Sequence, residues 1–159
     1  MNATGERIGA GQVLPDFSLV DVDGRRVRLS DYRQRRNVVL VLVHGLNAAI
    51  EGLLGGLAAQ VERLAEDAAQ PLVVVAGPSS AAVALQQMYG LPFPVLADTD
   101  GGVHAALGVA TEATPSVAVF VTTRAARLVW AYRPEDGPPA PTVDDIRGWL
   151  GFMEMQCWL

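Results

Sequence analysis

The stretch Val38-Val39-Leu40-Val41-Leu42-Val43 constrains the fold more than any other part of the chain. It offers no polar side to water. A strand of that kind is buried on both faces, which places it inside a sheet covered by helices. Pro71–Ala76 has the same character, and Val95–Ala97 reads as a shorter strand. Helical patterns lie between them. His44-Gly45-Leu46-Asn47 breaks the first run, and a long helix is expected over Ala48–Ala68, with Leu53, Leu54, Leu57, Val61, Leu64 and Ala65 as its apolar stripe. Gly52, Gly55 and Gly56 weaken its first half by about 1 kcal/mol each relative to alanine. Ser79 or Ser80 is expected to cap a helix that runs to Tyr89 and stops at Gly90. Asp98-Thr99-Asp100-Gly101 reads as a turn whose carboxylates accept nearby amides, ahead of a short helix at Val103–Leu107.

The flanks are of another kind. Asp16–Asp21 and Arg25–Leu29 alternate apolar and polar around Asp23-Gly24, a hairpin signal because Gly24 can take the positive φ of the turn. Ser30-Asp31-Tyr32 reads as a short helical turn with a serine cap. Val117–Val121 and Leu128–Tyr132 are close enough to form an antiparallel hairpin. After the Pro-rich loop Arg133–Pro141, Thr142 and Asp145 form a near capping box for a last helix. Val143, Ile146, Leu150 and Met153 make its inward stripe, with Trp149 beside them. The order predicts an α/β fold: a mixed sheet with helices on both faces, in one domain over residues 1–159. Residues 1–12 are expected to be flexible.

Half the residues are apolar, so a core can form without disulfide or metal staples. A net charge of −5 argues against a nucleic-acid partner. Arg33, Arg35 and Arg36 read as a solvated loop. There is no lysine, and alanine, valine and glycine abound, so single arginines and alanines carry little weight. The apolar runs are too short to span a bilayer, and Met1–Gly11 does not resemble a secretory leader. The single cysteine, Cys157, cannot form an internal disulfide. These features lead us to expect a soluble, cytoplasmic, bacterial-type protein.

Four segments resemble the peroxiredoxin-like branch of the thioredoxin superfamily, the alkyl hydroperoxide reductase and thiol-specific antioxidant relatives. Pro15–Leu19 with Asp23-Gly24 and Val27–Tyr32 is similar to the family's opening hairpin. Asn37–Val43 resembles the central strand before its active site. Phe93–Asp98, then Leu107-Gly108-Val109, resembles the stretch before its second half. Thr114-Pro115-Ser116-Val117 resembles its cis-proline segment. The resemblance implies a thioredoxin-like three-layer α/β/α fold with an N-terminal β-hairpin. It implies thiol-based reduction of peroxides or disulfides, and a role for Thr114 and Pro115 in presenting backbone to a bound partner.

In such relatives a reactive cysteine sits in the first turn of the helix after the central strand, where the helix N-terminus stabilises the thiolate. The two positions of a C-x-x-C pair fall on Ala48 and Glu51. Alanine has no nucleophile, and a carboxylate cannot run the thiol's oxidation cycle. The arginine that such relatives place opposite the cysteine is also missing, with Thr114 in roughly that region.

His44, Gly45 and Asn47 join Thr114 and Pro115 as candidate binding residues. Histidine is the side-chain type that titrates near neutrality, which makes His44 a candidate, although packing at a strand end also accounts for it. His104 reads as solvated. The two histidines lack metal-ligand spacing, so no metal and no cofactor is expected. Cys157 lies near a helix C-terminus beside Glu154, where a thiolate is disfavoured. It is a tail residue without function, a redox sensor, or a cysteine that pairs with a second chain. Phe152, Met153, Met155, Trp158 and Leu159 crowd the C-terminal end, and a homodimer through this end or through the helix after Ala48 is one way to cover them. Packing over the Pro-rich loop is the other.

Three functions remain open. One is a redox-inactive peroxiredoxin-like protein that binds a protein or peptide in a groove at Pro115. The second is a thiol oxidoreductase that uses Cys157. The third is a small-ligand carrier with a pocket beside Ala48.

Overall fold

The elements along the chain are β1 (Ser18–Val20), β2 (Arg26–Arg28), β3 (Asn37–His44), α1 (Ala48–Ala59), α2 (Val61–Glu66), β4 (Ala69–Ala76), α3 (Ser79–Tyr89), β5 (Val95–Asp98), α4 (Gly102–Ala106), β6 (Ser116–Thr122), β7 (Leu128–Tyr132) and α5 (Val143–Gln156). They come from a computed structural model that describes residues 8–112 and 114–156. Five strands form one sheet in the order β5-β4-β3-β6-β7. β3, β4 and β5 are parallel, and β6 and β7 are antiparallel to their neighbours. β1 and β2 form a separate antiparallel pair.

The valine-rich run is the middle strand of the sheet. Val38 to Val43 are at most 2% exposed. Alternate residues point to two separate cores. Val39, Val41 and Val43 pack with Leu53, Leu54, Leu57, Leu85 and Ile146, from α1, α3 and α5. Val38, Leu40 and Leu42 pack with Val27, Leu29, Val103 and Leu107, from the β1–β2 hairpin side and α4. Side chains i and i+2 share a face of a strand, so one run serves both layers. The thioredoxin-like α/β architecture implied by the resemblance is what the chain forms.

Local expectations were met where the signal was chemical. Asp98 accepts from the amides of Val103 (3.1 Å) and His104 (2.9 Å), and so caps α4. Thr142 and Asp145 exchange side-chain-to-backbone bonds at the start of α5. The inward stripe Val143, Ile146, Leu150 and Met153 is buried. Trp149 stacks on Trp130 of β7 at 5.8 Å.

Other expectations need correction. The helix expected over Ala48–Ala68 is two helices that meet at Gln60, whose φ of −109° and ψ of 21° leave the helical region. Gln60 N still donates to Gly56 O, and Leu64 N to Gln60 O, so the break is a kink with a bond on each side. It follows the flexible Gly55-Gly56 pair, where the helix is weakest. Neither Ser79 nor Ser80 caps α3. Pro78 is the cap residue, extended at φ −67° and ψ 160° and with no side-chain bond; its ring-fixed φ is compatible with that extended position ahead of the helix. The turn after β2 is capped by Asp31, which accepts from Arg28 N, and not by Ser30. His104 is 1% exposed rather than solvated, because Asp98 draws its ring into the core with an Nδ1–Oδ2 distance of 2.7 Å.

Candidate functional site

Parallel strands carry their C-terminal ends to one edge of the sheet, and loops at that edge commonly hold functional residues. β3, β4 and β5 end there, and the antiparallel β6 begins there, with His44 paired to Ser116. The register places the β3–α1 junction beside the segment that enters β6.

The Thr114–Pro115 peptide bond is cis. Gly45 lies against it with φ +79°. A Cβ on Gly45 would fall 2.7 Å from Thr114 Cγ2 and 3.2 Å from Pro115 Cα. Glycine is required there twice over, for its left-handed backbone and for the close approach of the second segment. The Thr114 hydroxyl is 3.3 Å from His44 Nδ1 and 3.4 Å from Nε2. Near-equal distances mean that it is aligned with neither nitrogen, so the contact is weaker than a directed hydrogen bond. His44, Gly45, Thr114 and Pro115 therefore form one contiguous patch.

α1 begins beside this patch. Asn47 is its cap residue, and its Oδ1 accepts from Ile50 N at 2.9 Å. Ala48 is the first helical residue, and both Ala48 and Ala49 are exposed. Glu51 accepts a short hydrogen bond from the hydroxyl of Tyr89, at the end of α3. The bond to Glu51, then desolvation, then the glutamate's charge hold the Tyr89 phenol above its ordinary value of 10.0. The tie between Glu51 and Tyr89 was not legible in the sequence, because the partners are 38 residues apart on helices of different units.

The sequence-derived candidates His44, Gly45, Asn47, Ala48, Glu51, Thr114 and Pro115 thus gather at the head of α1. Cys157 lies outside the described residues. No group of three or more histidine, cysteine, aspartate or glutamate side chains that could hold a metal exists among the described residues. No helix among them is long and apolar enough to cross a membrane. A cleft of about 620 Å³, lined in part by Gln34, Asp67, Ala68, Arg124 and Met153, opens at the opposite end of the sheet, away from these candidates.

The family model described as AhpC/TSA matches residues 10–131, most of the chain. The chain belongs to the AhpC/TSA family. This is a family of peroxiredoxin- and thioredoxin-like redox proteins. The structure is similar to peroxidoxin BcpB from Mycobacterium tuberculosis, with a TM-score of 0.79 at 19% identity over 94% of this chain and 98% of that one. It is similar to the reduced 2-Cys peroxiredoxin of Plasmodium vivax, with a TM-score of 0.77 at 14% identity over 92% and 82% of the two chains. It is also similar to a putative DsbE thiol:disulfide interchange protein from Chlorobium tepidum, with a TM-score of 0.69 at 20% identity over 90% and 99%. No curated protein matches the sequence significantly. At such identities the structural likenesses speak for the fold. Within this AhpC/TSA chain the first turn of α1 contains Ala48, Ala49, Ile50 and Glu51, and no cysteine.

Proposed function

We propose that this AhpC/TSA-family chain carries out no thiol chemistry at the head of α1 and works by binding a protein or peptide segment over the patch formed by His44, Gly45, Asn47, Ala48, Thr114 and Pro115. The observation that carries this reading is the content of the first helical turn. Peroxide reduction by this family's chemistry begins with a thiolate attacking an oxygen, and it ends with a thiol resolving the sulfenic acid. Ala48 offers no atom for the first step. The Glu51 carboxylate accepts from Tyr89 and has no sulfur for the second.

What supports binding is that the surroundings of the lost chemistry are kept open. Leu46, Asn47, Ala48, Ala49, Thr114 and Pro115 are all exposed, with Leu46 at 37%. The backbone on both sides is fixed by the Asn47 cap and by the packing of Gly45 on Pro115. A rigid, open, partly apolar surface loses little entropy when it is covered.

The test compares wild type with Cys157→Ser in assays of hydroperoxide and disulfide reduction, with a dithiol as electron donor. Rates equal to the protein-free background in both proteins are expected. Activity present in the wild type and lost in the variant would replace this reading with a thiol oxidoreductase that depends on Cys157.

A further inference from the structure

The cleft of about 620 Å³ at the far end of the sheet lies where α5 ends. Leu150, Met153 and Glu154, from the last two turns of that helix, line it, and none of Val143 to Trp149 does. Arg147 Nε donates to Asp67 Oδ2 at 3.1 Å, and Asp67 lines the cleft as well. That ion pair pins α5 beside the cleft. A further wall is the loop between β6 and β7, where Arg124 O accepts from Gln34 N.

The inward stripe of α5 points past the last helical residue, Gln156. Val143, Ile146, Leu150 and Met153 recur at steps of three and four and are all buried. The next position of that stripe is 157, and position 158 follows Glu154 by one turn. The sequence there is Cys157-Trp158-Leu159, which lies outside the described residues and carries no charged side chain. The cleft suits such a segment. Leu150 and Met153 with Ala68 and Ala125 give it an apolar lining, and the exposed Glu66, Glu154 and Arg124 place both signs of charge around it. An apolar centre with a mixed polar rim is the anatomy of a docking surface for uncharged residues.

We propose that this cleft is the seat of the chain's own segment Cys157-Trp158-Leu159, with Cys157 continuing the stripe inward from Met153 and Trp158 meeting the Arg124 guanidinium. Three residues reach no more than about 10 Å beyond α5, which holds them at the cleft. Their attachment to α5 makes the docking intramolecular, so a modest apolar burial is enough to sustain it. An indole against a guanidinium adds a cation–π contact. Seated in this way, the thiol is withdrawn from solvent at the end of the sheet opposite Pro115. The inference is independent of the binding role given to the patch at Pro115.

Cys157 is the only cysteine in the sequence, so thiol labelling reads this segment alone. The experiment measures the rate at which a neutral maleimide labels the full chain, native and in urea. A seated segment reacts only when it opens, so the native rate should be roughly tenfold or more below the unfolded one. Ala125→Trp, at an exposed position of the cleft wall, fills the seat and should bring the native rate close to the unfolded one. Arg124→Ala removes only the guanidinium and should raise the native rate severalfold. Circular dichroism checks that both variants fold, and a faster rate in either folded variant supports the seat. Native labelling as fast as in urea would overturn the proposal. Slow labelling unchanged in both variants would place the segment elsewhere and overturn it as well.

Discussion

Gly45 shows how much one residue can be asked to do. Alanine there incurs the left-handed backbone penalty of about 1–2 kcal/mol, plus the displacement of Thr114 or Pro115 by a Cβ that has no room. Gly24 has a similar φ of +83° and open space around its missing Cβ. We expect Gly24→Ala to cost about 1 kcal/mol and Gly45→Ala at least twice that, measured by urea denaturation. Equal losses would show that the close approach to Pro115 contributes nothing.

The buried pair Asp98–His104 gives a second prediction at this scale. Burial pushes the Asp98 carboxyl up, but the hydrogen bonds from His104 and Val103 outweigh it and hold it below its ordinary value of 3.8. A depressed folded-state pKa contributes stability that is present above the unfolded value and lost as pH falls through the folded one. The stability difference between wild type and Asp98→Asn should therefore be constant near neutrality and narrow below about pH 4. A difference independent of pH down to acid unfolding would contradict the assignment. The turn chemistry of Asp98 was legible in the sequence, because aspartate near a helix start has amides to cap. The burial of His104 was not, since nothing local states that a histidine on a short polar helix faces inward.

At the scale of elements, α1 is the informative case. Its apolar stripe was readable, and Leu53, Leu54, Leu57 and Leu64 are all buried. The kink at Gln60 was not, because the stripe continues through it and no proline or cap marks it. The three helical glycines now separate by environment. A Cβ at Gly52 or Gly55 would meet nothing within 4 Å, whereas at Gly56 it would lie 3.0 Å from Val143 Cγ1 on α5. Gly52→Ala and Gly55→Ala should each raise stability by about 0.5–1 kcal/mol. Gly56→Ala should gain less or lose, because it presses α1 against α5. Thermal denaturation of the three variants checks the order. Asn47→Ala should cost about 1 kcal/mol through the lost cap. At the other end of that turn, Glu51→Gln should bring the Tyr89 phenol down toward 10.0 in an ultraviolet pH titration. An unchanged titration would mean that the two side chains do not meet in solution.

For the whole molecule, the alternation of long apolar runs with helical stripes foretold the mixed sheet, and Asn37–His44 lies at its centre as its composition requires. The order of strands follows from short βα connections and one terminal hairpin, both readable in sequence. What a linear reading could not supply is the spatial sum of charge. Arg33 to Arg36 and Arg124 are far apart in the chain and meet at one edge, where Gln34 N donates to Arg124 O. The fold of a thiol family is thus retained around a helix head that contains no thiol.

The most direct measurement is the steady-state consumption of hydrogen peroxide by the purified wild-type chain, with excess dithiol supplying electrons. The account predicts a rate indistinguishable from dithiol and peroxide without protein. A saturable, protein-dependent rate that survives Cys157→Ser would contradict it, since reduction would then proceed from α1 without sulfur.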